Sequence, residues 1–293
     1  LAVLGWVQLI IYQIIHLDIF PIYIKNGLAI SGIEQSLNIF RISSLSHEPK
    51  GLAVFMTIAF FILYSLNNNN IKVFKNDFII KILFFLTILA TLSTSGIVMF
   101  AILFIITILL NITKIKIDYK KILILLIILL VFVYNQQFIL EILELRVLNR
   151  DISSEDFDAP IQIFLSKFPE YLFFGSGMGN IHNLSADFIP IKYLHYMKDN
   201  IFVAKSGYLT LISEYGIVGF ILFMLIIIKL ISKLKRNMNL YNLNIYSSIQ
   251  EILILITFAF LARSYAYTSL IIMLAIANTL INIKINTKEK NEY

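Results

Sequence analysis

Runs of apolar residues, broken by short polar or charged clusters, follow one another along most of the chain. Eight such runs lie near 1–17, 51–66, 77–92, 96–112, 121–136, 208–232, 248–262 and 269–283. A helix needs roughly 20 apolar residues to cross a hydrocarbon core about 30 Å thick. Several runs are nearer 16 residues, which a thin or locally pinched bilayer accommodates. The pattern predicts an all-α, polytopic integral membrane protein with about eight transmembrane helices. The chain opens inside an apolar run at Leu1, with no charged stretch ahead of it, and so reads as a fragment lacking its N-terminal spans.

Two long segments interrupt the runs, 18–50 and 137–207. The second carries apolar positions at helical spacing: Ile139, Ile142, Leu143 and Leu148, then Ile163, Phe164 and Phe168 after Pro160. Proline suits the first turn of a helix, where a missing N–H costs little. Short amphipathic helices lying at the interface and capping the bundle are expected there. The organisation is a single membrane domain over 1–293, with a first outer loop at 18–50 and a large one at 137–207.

Composition excludes the main alternative. The 293 residues are 59% hydrophobic and 14% charged, with a mean hydropathy of +0.83. Soluble domains average about 45–50% apolar and about 25% charged. Zero Cys removes disulfide frameworks, thiolate metal sites and cysteine nucleophiles. The net charge of +6 reflects topology and not nucleic acid. One set of connections holds 14 basic residues against 5 acidic, including Lys72, Lys75, Lys114, Lys116, Lys233, Lys235 and Arg236. The other side holds 10 basic and 13 acidic residues. The positive-inside rule makes the first side cytoplasmic and sets both long segments outside, periplasmic in a bacterial inner membrane. Cytoplasmic loops this short have no room for a nucleotide domain. No Walker pattern occurs, so the chain alone does not drive transport with ATP. No span shows the paired broken helices or mid-membrane charges of a transporter.

Chemistry is therefore sought on the outer side. Only five basic residues are Arg, and four of them, Arg41, Arg146, Arg150 and Arg263, fall there, Arg236 being the inner one. A guanidinium binds phosphate oxygens two at a time and keeps its charge in a poorly solvated pocket. A pyrophosphate clamp and ordinary headgroup snorkelling are the two readings of these residues. Arg41 to Gly51 joins an Arg with His47 and Glu48 ahead of Pro49. It is either an anion site with a general base or a polar entry loop with Pro49 starting a helix. Gly175-Ser-Gly-Met-Gly179 offers glycine amides to an anion, or simply turns the chain. Asp156 and Asp158 suit a divalent cation, or form a solvated acidic loop. His182 and His195 have no ligand spacing, and no metal or other cofactor is predicted.

Ser206-Gly-Tyr-Leu-Thr-Leu-Ile-Ser-Glu-Tyr-Gly-Ile-Val-Gly219 resembles the O-antigen polymerase (Wzy-type) and O-antigen ligase superfamily. There a large outer loop enters a span through His-Asn-x-Tyr-Leu and Glu-x-Gly-Ile-x-Gly. Tyr208, Leu209, Glu214, Gly216, Ile217 and Gly219 match. Phe174 to Gly179 is similar to the family's Gly-x-Gly turn, and Arg41 to Gly51 to its Arg-x-x-Gly-x-x-x-x-Pro entry. Lys205-Ser206 replaces the family's His-Asn, Ser95-Gly96 lacks its Arg, and Asp158-Ala159 stands where another Arg is usual. The resemblance implies polymerisation of undecaprenyl-pyrophosphate-linked repeat units, of O-antigen or capsule, at the periplasmic face of the inner membrane. The alternatives are ligation of glycan to lipid A–core, and a flippase or transporter of lipid-linked glycans. With the family's base absent at Lys205-Ser206, His47 and Glu48 become the candidate catalytic residues, with His182 and His195 behind them. Arg41, Arg146, Arg150, Gly175, Gly177, Lys205, Tyr208, Glu214 and Arg263 become substrate-binding. Membrane lipids, the lipid-linked glycans and a chain-length regulator protein are the implied partners. Arg charge at the leaving group is compatible with a metal-free reaction.

Overall fold

In a computed structural model the chain is described over residues 1–15, 33–34, 39–40, 42, 49–111, 159–185, 206–241, 243–263 and 266–282. Its helices are α1 (Ala2–Ile15), α2 (Pro49–Asn68), α3 (Asp77–Ala90), α4 (Thr94–Leu110), α5 (Ala159–Lys167), α6 (Glu170–Phe174), α7 (Ile181–Ser185), α8 (Gly207–Tyr241), α9 (Asn244–Ala262) and α10 (Tyr267–Asn282). Seven of the eight apolar runs are helical over most of their described residues; the run at 121–136 lies outside the described residues. Three helices, α2, α8 and α9, are long and apolar enough to cross a membrane, and α1, α4 and α10 are shorter apolar helices. This is the pattern of a multi-pass membrane protein, with three full-length candidate spans among the described residues where eight spans were expected of the whole chain. One antiparallel pair of two-residue strands, Ile33 with Phe40 and Glu34 with Ile39, lies in the first long segment; the other described elements are all helices.

Local chemistry explains the helix ends. Pro49 and Pro160 both stand in first turns, where their rings pre-set φ. The Ser93 hydroxyl caps α4 by accepting the Gly96 amide at 3.3 Å, the usual way to satisfy an orphan N–H. Within the apolar helices Thr87, Thr107 and Thr257 each donate to the carbonyl four residues earlier at 2.7 Å. Those hydroxyls thus carry no unmet donor into an apolar interior.

The core lies between α2, α4, α8, α9 and α10, where Val54, Ile58, Phe61, Leu253, Ile256 and Phe260 are buried together. Gly96 lets α4 approach α2, since a Cβ there would lie 2.4 Å from the Ala53 Cβ. A smaller cluster of Ala2, Ile42, Leu52, Met56 and Ile88 seats α1 and α3 on the other side of α2. Trp6 Nε1 donates to Thr87 Oγ1 at 3.0 Å across that contact.

Where α2 ends and α9 begins, the two helices are tied by polar groups. Ser65 Oγ donates to Glu251 Oε2 at 2.7 Å, and Asn69 Nδ2 to the same oxygen at 3.2 Å. The contact makes α2 and α9 antiparallel, so the start of α2, the end of α9 and the start of α8 share the opposite end of the bundle. Lys233, Lys235 and Arg236 lie toward the other end of α8.

Candidate active site at a broken helix

α8 is helical from Gly207 to Tyr215, loses helical geometry at Gly216 (φ 70°, ψ −179°) and then resumes. A single residue in that conformation ends the ladder, because the carbonyls of the preceding turn lose the amides they would have bonded. Sequence periodicity carries no sign of this interruption. One candidate span is thus broken near its N-terminal end.

The orphaned carbonyls are not left bare. Ser176 N donates to Ser213 O at 2.9 Å, and Gly177 N to Glu214 O at 3.0 Å. Ser176 Oγ also reaches Ser213 O at 2.9 Å. The loop that supplies these donors begins where α6 ends at Gly175 (φ 76°), whose amide returns to Tyr171 O at 2.8 Å. Gly177 and Gly179 are likewise at positive φ, a region that side-chain-bearing residues rarely enter. The alternation of glycine from 175 to 179 thus follows from three left-handed turns in five residues. Glu214 closes the arrangement: its Oε1 accepts the Gly179 amide at 3.2 Å.

The amides of Gly175, Ser176, Gly177 and Gly179 are therefore engaged within the protein. Gly175 and Gly177 act through conformation and close backbone approach, not as open donors to an anion. Glu214, half-buried, has one oxygen committed to the loop.

A small separate core fixes the loop from below. Ile161, Phe164 and Leu165 of α5, Ile181 of α7 and Leu209 of α8 are buried together, with Tyr171 and Ile212 packed on them. The Phe164 ring lies 5.2 Å from both Phe168 and Tyr171. Short helices are expected from sequence in this part of the long segment, and they dock on the first turns of α8; the other expected stretch, 139–148, lies outside the described residues. Leu209 points into that core, whereas Tyr208 is 42% exposed.

α9 closes the other side. Gly207 sits so near Phe260 that a Cβ would lie 2.1 Å from the Phe260 carbonyl oxygen. The start of α8 is held against the end of α9, and Arg263 follows α9 at once, half-buried, its amide bonded to Ala259 O at 2.8 Å. The chain also enters α2 at this end, at Pro49, directly after His47 and Glu48. Of the residues singled out from sequence, the structure brings Gly175, Gly177, Tyr208, Glu214 and Arg263 to one end of the bundle. Arg41, His47, Glu48, Arg146, Arg150, Lys205, Asp156 and Asp158 lie outside the described residues. Sequence reasoning missed Ser176, Ser213 and Phe260, whose backbones and hydroxyl make the junction. Only the unusual glycine spacing hinted at it.

Comparison with known proteins gives one match. Residues 79–224 match the family model described as O-Antigen ligase. That stretch runs from α3 through the broken part of α8 and contains Arg146, Arg150, Gly175, Gly177, Lys205, Tyr208 and Glu214. It leaves Arg41, His47, Glu48 and Arg263 outside. Neither the curated proteins nor the solved structures yield a match.

Proposed function

The chain belongs to the O-antigen ligase and polymerase superfamily, and on that footing we propose that it polymerises undecaprenyl-pyrophosphate-linked repeat units at the periplasmic face of the inner membrane. The observation that carries this reading is the docking of a glycine loop into a break of a membrane-spanning helix. It supports a fixed polar ledge at one end of a lipid-embedded bundle, where a substrate with a membrane-bound tail and a polar head can be held.

In the proposed reaction a hydroxyl of the incoming repeat unit attacks the anomeric carbon of the growing chain. The bond from that carbon to the pyrophosphate oxygen breaks, and the hydroxyl proton passes to a base. His47 and Glu48 are the proposed base, at the entry to α2. Arg41, Arg146 and Arg150, with Lys205, are proposed to hold the departing pyrophosphate, where charge develops and stabilisation counts most. Tyr208, Glu214 and Arg263 are proposed to face the glycan, with Gly175 and Gly177 shaping the loop beside them. A chain-length regulator protein is a proposed partner, and the proposed reaction calls on no cofactor.

Ligation to lipid A–core is the second reading, favoured by the description of the matching family. The replacement of the family's His-Asn by Lys205-Ser206 favours polymerisation. Deletion followed by a lipopolysaccharide gel separates them. Loss of a polymerase leaves core carrying a single repeat. Bare core, with polymer stranded on its lipid carrier, would instead assign the ligase reaction. Single repeats trapped on the inner leaflet would mark a flippase.

A further inference from the structure

The platform beside the Gly216 break carries an apolar crest with no protein cover among the described residues. Phe173, Phe174 and Met178 are 57%, 78% and 77% exposed, although the neighbouring Phe164 is buried and Tyr171 packs on that core. Such side chains in water cost free energy in proportion to their area, roughly 25 cal/mol per Å². Three of them in six residues form a patch of the kind that marks an interaction surface.

The depth of this crest follows from α8. The Phe173 carbonyl oxygen would lie 2.1 Å from a Cβ on Gly216, so the crest stands level with the break. Lys233 lies 17 residues further along α8, about 26 Å at 1.5 Å per residue. A hydrocarbon core is about 30 Å thick. With Lys233, Lys235 and Arg236 at one boundary, Gly216 and the crest fall at the other. Tyr215 and Tyr267 mark the same level independently. Both are exposed, and each begins or adjoins a helix at the end away from those basic residues. Tyrosines of this kind populate the membrane interface.

The crest also continues a lipid-facing surface. Val218, Ile221, Leu222, Leu225 and Ile226 are exposed along α8 at three- and four-residue spacing, in line with Tyr215. Only 11% of the apolar window of α8 is buried. A stripe this apolar on a helix of this length faces lipid.

We propose that Phe173, Phe174 and Met178 insert into the hydrocarbon boundary of the leaflet on the Gly216 side and anchor the glycine loop there. The occupant is the bilayer itself. The rings and the thioether bury apolar area among acyl chains, while Ser176 and Glu214 stay at headgroup level. The anchor holds the Gly175–Gly179 loop at one depth relative to any lipid phosphate. It depends on α8 spanning the membrane and not on which glycan reaction the protein performs.

The chain has no cysteine, so one introduced thiol takes a spin label alone. Phe174→Cys and Met178→Cys are placed in the whole protein in lipid nanodiscs, with Leu222→Cys as the lipid reference and Lys75→Cys as the aqueous one. Collision with oxygen, which partitions into lipid, and with a water-soluble nickel chelate is read by power saturation. At 174 and 178 oxygen collision matches Leu222→Cys, and nickel collision is several-fold below Lys75→Cys. Nickel collision equal to Lys75→Cys at both positions would overturn the anchor. Low collision with both reagents would overturn it too, because the crest would then be covered by protein.

Discussion

A side chain on Gly175 would meet the backbone just ahead of Gly216, and a side chain on Gly216 the backbone just ahead of Gly175. A Cβ on Gly175 would lie 2.2 Å from the Glu214 carbonyl oxygen, and one on Gly216 would lie 2.1 Å from the Phe173 carbonyl oxygen. Both residues are at positive φ. The loop and the broken helix thus meet backbone to backbone, 41 residues apart in sequence, and neither glycine can change alone.

Alanine at either position is expected to open the junction. With ψ near 180° both glycines occupy a positive-φ region held almost solely by glycine, which costs an L-residue about 1–3 kcal/mol, and the overlap adds backbone displacement. Gly179→Ala separates the two effects, since Gly179 shares the positive φ and a Cβ there meets nothing within 4 Å. Limited proteolysis between residues 168 and 185 should speed up in Gly175→Ala and Gly216→Ala, and polymer synthesis should fall about tenfold or more, the scale of a 1.4 kcal/mol loss. Gly179→Ala carries the conformational cost without the overlap, so it should change less than the other two in both. Equal behaviour of all three would remove the steric argument.

Two buried polar positions, Glu251 at the other end and Thr57 midway along α2, are expected to respond in opposite directions. Glu251, 7% exposed, accepts from Ser65 and Asn69. Glu251→Leu removes the acceptor they share, leaving Ser65 Oγ the Ser248 carbonyl at 3.3 Å and Asn69 Nδ2 the Ser65 carbonyl at 2.9 Å, and should lower stability in detergent by about 1 kcal/mol, whereas Glu251→Gln keeps an acceptor oxygen and should lose less. The buried Thr57 hydroxyl has no hydrogen-bond partner among the described residues. Thr57→Val should be neutral or stabilise by up to about 1 kcal/mol, because it removes an unmet polar group at nearly constant volume. Thermal unfolding of the three variants checks both. A Glu251→Leu variant as stable as wild type would show that the tie between α2 and α9 contributes nothing.

Much of the fold is legible in sequence because the bilayer permits few solutions. An apolar run must be a helix to satisfy its backbone in lipid, and Pro49 and Pro160 do begin helices. Of the short helices in the second long segment, α5 is visible from Pro160 and the spacing of Ile163 and Phe164; α6 and α7 are not. The break at Gly216 is not. Glycine is common in transmembrane helices, so Glu214-Tyr-Gly-Ile-Val-Gly219 reads as continuous apolar helix. The amides that replace its lost partners come from Ser176 and Gly177, and no periodicity carries a contact of that separation. The same contact explains why the anion-cradle reading of the glycines does not describe their amides: the demand for donors arises in α8.

Orientation follows from charge. The side carrying Lys233, Lys235 and Arg236 has 14 basic and 5 acidic residues, which predicts that it is cytoplasmic. Alkaline phosphatase fused at residue 185 should be active and at residue 118 inactive. The reverse pattern would turn the protein over and put the Gly216 break in the cytoplasm.

Arg41 and Arg146 give the sharpest test of the proposed chemistry. Arg→Lys keeps the charge but loses the two-pronged geometry, and Arg→Ala loses both. If each holds pyrophosphate oxygens as the glycosidic bond breaks, Ala should cost about 2–4 kcal/mol, a 10²–10³-fold loss of rate comparable to removing one oxyanion donor. Lys should recover part of that. Protein level and membrane insertion should hold, because one Arg outside the apolar runs contributes little to helix insertion. Lys167→Ala is the control, an exposed basic residue at the end of α5 in the same long segment, and it should leave chain length unchanged. Polymer ladders from membranes with matched protein levels decide the matter. A wild-type ladder from both Ala variants would remove the clamp and return these arginines to anchoring lipid headgroups.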